Sequence, residues 1–146
     1  MEIILEKKPK NPIIIEGFPG LGLIGTIGTE FLIEHLNCDK IGRIMLDGMQ
    51  PAVAIHESKM VEPLGIFYSK KYNLVILHVI SALNGLEWKI TEAVKKIAKD
   101  LNAKEIISLE GVGCQNPDKC DNRLFFYSEE KSKIKKLEGL KIEALK

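Results

Sequence analysis

The sequence lacks most of the features that announce a function class. Its 146 residues hold three cysteines, one tryptophan and two glutamines, and its 21 basic and 20 acidic side chains leave a formal net charge of +1. That balance provides no global field to recruit nucleic acid or an anionic membrane, and both are excluded as partners. The densest basic segment, Lys131, Lys133, Lys135 and Lys136, is diluted by Glu129, Glu130 and Glu138 and reads as a solvated helix face. No apolar run approaches about 18 residues, and Met1–Lys8 lacks the apolar stretch and cleavage site of a signal peptide, so the expected location is the cytoplasm.

An odd number of cysteines, Cys38, Cys114 and Cys120, in a chain without an export signal argues against a disulfide framework. Metal is not expected either. Cys114 and Cys120 stand further apart than a zinc knuckle allows, and His35, His56 and His78 are scattered, so the pair supplies only two of four tetrahedral ligands. No G-x-S-x-G elbow is present, and Ser58, Ser69, Ser81, Ser108, Ser128 and Ser132 lack the context of a nucleophile. A thiol site built from Cys114, a histidine and Asp118 has no defined base. No catalytic residue, metal ligand or cofactor-binding residue is assigned.

What is present is a folding pattern. Apolar residues at 45% and charged residues at 28% suit one globular α/β domain over residues 1–146. Short β-branched runs alternate with longer helical periods, the pattern of a sheet fed by crossover helices. Strands are expected at Ile3–Leu5, Pro12–Glu16, Ile41–Leu46, Ala52–His56, Gly65–Tyr68, Leu74–Ile80, Glu105–Leu109, Leu124–Tyr127 and Leu140–Ala144. The nearly continuous apolar run Leu74–Ile80 marks a central strand covered on both faces, with His78 as a hydrogen-bonded core histidine.

Helices are expected at Leu21–Leu36, after Ser81, and at Ser128–Leu137 before Gly139. In the middle one, Ile90, Ala93, Val94, Ile97, Ala98 and Leu101 recur at helical steps opposite a lysine-rich face. Asn84 and Glu87 have capping-box spacing, which puts Leu83 and Trp88 at the two staple positions. The competing role for Trp88 is an exposed interface anchor.

The glycine-rich segment Ile13–Gly25 carries the most information. Gly20, Gly22 and Gly25 match the G-x-G-x-x-G dinucleotide fingerprint between a strand and a helix, and Asp47 follows the next strand where a ribose-binding carboxylate would stand. Two features oppose that reading. The strand ends at Glu16, which leaves Gly17-Phe18-Pro19 ahead of the first fingerprint glycine, and Gly22, Gly25 and Thr29 share a helix face with Gly28 beside them, as close backbone packing requires. Gly17, Phe18, Pro19, Gly20, Gly22 and Gly25 therefore form a packing turn, with an anion at the helix start as the alternative. The longest irregular segment, 111–122, emerges from the carboxyl end of a strand, where α/β sheets receive ligands and partners. Glu110, Gly111 and Cys114, with Trp88, are the candidate partner surface.

The run Glu16-Gly17-Phe18-Pro19-Gly20-Leu21-Gly22-Leu23-Ile24-Gly25, followed by Glu30-Phe31-Leu32-Ile33-Glu34-His35-Leu36, resembles the opening block of the proteasome assembly chaperone 2 family. The likeness continues through Ile41–Leu46, Pro51, Leu74–Ile80, the Trp88 helix and Ile106–Gly111. It implies a three-layer, phosphorylase/hydrolase-like mixed sheet flanked by helices. It also implies a non-enzymatic chaperone for proteasome subunits, with protein partners that include proteasome α subunits. An interaction module of this kind is expected to bind its partner or form a homo-oligomer through apolar surface around the glycine-rich helix and the loop after Leu109. Family members run longer, so the resemblance implies that a C-terminal portion is missing or was never present. The end, Glu143-Ala144-Leu145-Lys146, departs from the hydrophobic-Tyr-any tail by which some such chaperones dock. The alternative function is a small-molecule enzyme or nucleotide- or anion-binding protein built on the Gly17–Gly25 turn.

Overall fold

Strand β1 (Glu2–Leu5) opens the chain, followed by β2 (Ile13–Gly17), a 3-10 turn at Leu21–Leu23 and helix α1 (Ile24–His35). Next come β3 (Asp39–Met45), the hairpin strands β4 (Ala54–His56) and β5 (Lys59–Val61), β6 (Leu64–Ser69) and β7 (Leu74–Val79). Helix α2 (Glu87–Asp100), β8 (Glu105–Ser108), β9 (Phe125–Phe126), α3 (Lys131–Gly139) and β10 (Glu143–Ala144) complete it. The computed structural model describes residues 1–49, 53–56, 58–113, 123–140 and 142–145. The chain divides into two compact units, Met1–Val112 and Gly113–Lys146. In the second, β10 pairs parallel to β9, with α3 between them in sequence.

The first unit is built on a six-stranded mixed sheet of order β1-β3-β6-β7-β2-β8. Strand β2 runs parallel to β7 and β8, β6 is antiparallel to both β7 and β3, and β1 is antiparallel to β3. Strands β2, β3, β7 and β8 therefore share one direction, which gives the sheet a carboxyl edge where they finish and an amino edge where they begin.

Successive strand residues point to opposite faces, and the two helices use this alternation differently. Val75, Leu77 and Val79 join Ile14, Leu64 and Ile66 in one aliphatic cluster with Ile90, Ala93, Val94, Ile97 and Leu101 of the α2 region. His78 points the other way and meets Thr29 of α1, its Nδ1 lying 2.9 Å from Thr29 Oγ1. At 4% exposure His78 is the hydrogen-bonded core histidine expected from the sequence. Burial holds its pKa below the ordinary histidine value, against the opposing pull of the Glu30 charge.

The expected elements need several corrections. The glycine-rich helix starts at Ile24, because Gly22 (φ 67°) and Leu23 (φ 55°) take left-handed backbone that no α-helix accepts. Helix α2 starts at Glu87, its N-cap is Leu86, and no side chain caps it. Glu87 instead accepts a hydrogen bond from the Gly85 N–H at 3.0 Å, with Gly85 at φ 78°. The Asn84 capping box and the Leu83–Trp88 staple are thus absent: Leu83 is buried and Trp88 is 83% exposed. Helix α3 runs over Lys131–Gly139, the last strand shortens to Glu143–Ala144, and β5 had no expected counterpart. Of the expected strand Ala52–His56, Ala52 lies outside the described residues, as does Pro51.

The amino edge is stitched by asparagines. Asn11, Asn37, Asn73 and Asn102 all adopt left-handed backbone, φ 48–52°. Asn73 Nδ2 donates to the carbonyls of Lys10 and Asn11, both at 3.1 Å, and Asn73 Oδ1 accepts from the Tyr68 hydroxyl. Asn102 Nδ2 donates to Asn11 Oδ1, and the Asn11 N–H donates to the Leu101 carbonyl at 2.9 Å.

Candidate functional site

The carboxyl edge is organised by missing Cβ atoms. A Cβ on Gly17 would overlap the Gly25 carbonyl and the Thr29 methyl, and one on Gly25 would overlap the Leu109 carbonyl. A Cβ on Gly111 would overlap the Leu21 carbonyl. Glycine at these three positions lets the end of β2, the start of α1 and the exit of β8 approach backbone to backbone. Thr29, fully buried one turn after Gly25, closes the contact with its hydroxyl 2.9 Å from the Gly25 carbonyl.

Gly22 differs from this group. Its added Cβ would meet nothing nearer than Ile24 Cγ1 at 3.7 Å, so its glycine serves the left-handed turn and not the packing face. Gly20, extended at φ −138°, lies against Glu110: a Cβ there would be 3.1 Å from Glu110 Oε2.

This packing inverts α1. Gly25 and Thr29 are its buried residues, while Ile24, Ile27 and Phe31, three and four residues apart, are more than half exposed. Leu21 and Leu23 extend the same apolar surface into the turn. Other loops at the carboxyl edge also expose apolar side chains. Val53, Ile55 and Met60 of the β4–β5 hairpin are 64%, 78% and 62% exposed, Trp88 follows β7, and Val112 follows β8. Sequence reasoning placed partner-binding apolar surface around the glycine-rich helix and the loop after Leu109, but of these residues it named only Trp88. The outward direction of Ile24, Ile27 and Phe31 follows from the Gly25 and Thr29 face packing inward.

The carboxyl ends of β2 and β8 bring two acids together. Glu16 and Ser108 are paired in register, and Ser108 Oγ lies 3.5 Å from Glu110 Oε1. Burial pushes the Glu16 carboxyl above the ordinary range; the Ser108 hydrogen bond opposes the shift and the Glu110 charge adds to it. Glu16 Oε2 is shielded from solvent and has no hydrogen-bond partner among the described residues. An anion at the turn would face these acids together with the carbonyls of Phe18 and Leu109.

The dinucleotide arrangement also fails on topology. The strand after α1 is β3, separated from β2 by β6 and β7, so the end carrying Asp47 lies three strand spacings, roughly 14 Å, across the sheet. Asp47 is engaged there by the N-terminal amine, whose hydrogen bond and charge hold its carboxyl below the usual range.

Among the partner-surface candidates, Glu110, Gly111 and Trp88 all stand at the carboxyl edge, with β2 between the strands that lead to them. Cys114 lies outside the described residues, as do Cys120 and Asp118. Among the described residues no cluster of histidine, cysteine and carboxylate groups could hold a metal. None of the described helices is long and apolar enough to cross a membrane.

Comparison with known proteins sets this geometry in context. The PbaA protein of Pyrococcus furiosus, described as an archaeal homolog of proteasome-assembly chaperone, superimposes with a TM-score of 0.78 at 28% identity, over 99% of this chain and 63% of its own. P. furiosus PbaB, described as an archaeal proteasome activator, shares the fold with a TM-score of 0.77 at 20% identity, over 99% of this chain and 66% of its own. An uncharacterized protein of Methanocaldococcus jannaschii, MJ0106, is 31% identical over 106 residues, 70% of this chain and 43% of that protein. The chain thus spans less than half the length of this curated relative and about two thirds of the solved structures. The PAC2 family model matches residues 14–144, from the core of β2 through the last strand, and the chain belongs to the PAC2 family.

Proposed function

We propose that this chain is a non-enzymatic protein-binding factor acting in proteasome assembly, and that it engages its partner through the apolar outer face of α1 and the carboxyl edge from which that helix starts. The observation that carries the reading is the inversion of α1, which leaves Ile24, Ile27 and Phe31 exposed on a helix whose glycines pack inward. Contiguous exposed apolar surface of this kind marks interaction sites. The description of PbaA as a homolog of proteasome-assembly chaperone supports the choice of partner. The non-enzymatic part of the reading rests on the site's chemistry. The histidine–hydroxyl pair His78–Thr29 is sealed in the interior, and Ser108 meets only the carboxyl groups of Glu16 and Glu110, with no histidine or lysine beside it among the described residues. In this reading the chain works in the cytoplasm as a homo-oligomer, and Glu110, Gly111 and Trp88 border the docking surface.

The test mixes the purified chain with purified proteasome α subunits of its source and follows co-elution and α-ring formation by size exclusion. Co-elution that disappears in the Ile27→Ser, Phe31→Ser double variant is expected. Failure of the wild-type chain to co-elute, while another stable partner is recovered from the cell, would sink the proteasome assignment. Equal co-elution of the double variant would sink the α1 surface alone.

A further inference from the structure

The amino edge carries an equally organised surface of opposite character, which the docking role of the carboxyl edge leaves unexplained. Three loops meet there: Lys7–Asn11 before β2, Lys70–Asn73 before β7 and Asp100–Lys104 before β8. Between them they hold six lysines, Lys7, Lys8, Lys10, Lys70, Lys71 and Lys104, and one acid, Asp100, with Glu6, Asp39 and Glu105 adjoining them, so cations still outnumber acids by six to four. All six lysines are exposed. Lys7 is tied to Asp39, at the start of β3, at 3.0 Å. In their midst Tyr72 is 54% exposed, with Lys71 Nζ 5.1 Å from the centre of its ring.

A charged loop is ordinarily no more than a solvated face. Here, however, three separate loops are fastened to one another. Asn73 bonds the first to the second, and Asn102 bonds the first to the third. Each fastening uses an asparagine held in left-handed backbone, a conformation asparagine tolerates while its side chain bonds the neighbouring loop. The frame therefore gathers like charges against their mutual repulsion and fixes their spacing, which a purely solvating surface does not need.

We infer that the amino edge is a second docking surface, and that its occupant is a carboxylate-rich segment of a protein partner, seated beside Tyr72. Charge complementarity of this kind steers association and fixes orientation, and an exposed tyrosine is a favoured anchor. Nucleic acid suits the surface less well. The three loops contain no arginine, the side chain adapted to bidentate phosphate contact, and a single aromatic ring in place of a row of stacking platforms.

The test titrates the full chain with three probes: a short synthetic peptide of glutamates interrupted by leucine, its glutamine counterpart, and oligothymidylate. Backbone amide shifts locate the binding. The expected result is saturable shifts confined to Lys7–Asn11, Lys70–Asn73 and Asp100–Lys104 with the glutamate peptide. The glutamine peptide should bind about tenfold more weakly, and Lys70→Glu combined with Lys71→Glu and Lys104→Glu should abolish the shifts. These exposed positions leave the fold intact, which the unchanged melting temperature of the triple variant would confirm. No saturable shift, shifts centred on the carboxyl edge, or equal binding of the two peptides would overturn the inference. Tighter binding of oligothymidylate would overturn it in favour of nucleic acid. None of these failures bears on docking at the opposite edge.

Discussion

The two edges of the sheet solve the same backbone problem with different residues. Both need left-handed turns. The amino edge makes them with Asn11, Asn37, Asn73 and Asn102, whereas at the carboxyl edge Gly22, Gly48 and Gly85 take this conformation, joined by Leu23 and Ser58. Asparagine brings a side chain that bonds neighbouring loops, so the amino edge is fastened, polar and lysine-rich. The carboxyl edge makes its closest approaches through Gly17, Gly25 and Gly111, where the absent Cβ lets backbones touch. That closeness has a consequence for composition. Where the helix packs through glycine and threonine there is no room for large side chains beneath it, so Ile24, Ile27 and Phe31 stand outside, while Leu32 and Ile33 are half-buried. Helix α2 shows the ordinary alternative, with aliphatic side chains in the core and lysines in water.

Four perturbations would break or sharpen this contrast. The largest effect is expected at Gly25. Its inward Cβ position is occupied by carbonyl oxygens, so Gly25→Leu should destabilise the fold by about 3 kcal/mol, the upper part of the overpacking range, in urea titration. Gly25→Ala should also destabilise. A gain of roughly 0.5–1 kcal/mol, as alanine gives on an open helix surface, would dissolve the backbone-packing account.

Next comes Asn73, where alanine loses the bonds to the Lys10 and Asn11 carbonyls and strains the left-handed backbone, with an expected cost of about 2 kcal/mol. Asn73→Gly should recover the conformational part alone. If glycine matched asparagine, the stitching would be without energetic weight and the two edges would not differ as described.

Glu16 offers a smaller, pH-dependent test. Its folded-state pKa is raised, so the protonated form is favoured in the fold, and stability is expected to fall as pH rises from the unfolded value through the folded one. Above that window the loss is complete. Glu16→Gln should remove this part of the pH dependence and leave the variant more stable than wild type at neutral pH. A variant with the same pH profile would show that Glu16 ionises in the fold as it does in water.

The smallest effect on stability is expected at the exposed stripe. Ile27→Ser and Phe31→Ser should each change the unfolding free energy by no more than about 0.5 kcal/mol, because neither side chain is in the core. A much larger loss, measured in the same titration, would mean that the outer face of α1 supports the fold itself.

Much of the architecture was legible because it rests on local signals. The β2, β7 and β8 strands followed from β-branched runs, α2 from its period, and the core role of His78 from the apolar run around it. The approach of α1 was legible from Gly25 and Thr29 sharing a face. The starts of both long helices were not. They depend on left-handed residues, and Leu23 carries no sequence signal for φ 55°, while the Gly85 turn replaced a capping box that Asn84 and Glu87 spell out equally well. The stitched amino edge was also invisible, since its three loops lie far apart in sequence and meet only through sheet order. The same holds for Glu16 and Glu110, neighbours through the pairing of β2 with β8.

Trp88 gives these two edges an optical distinction. As the chain's one indole, largely surrounded by water at the start of α2, it should emit at the long-wavelength limit of tryptophan fluorescence in the isolated protein. A protein seated over the carboxyl edge would dehydrate the ring and move the emission to the blue. An occupant of the amino edge, at the far end of the strands, would leave the spectrum where it was, so an unlabelled chain reports by colour which of its ends is engaged.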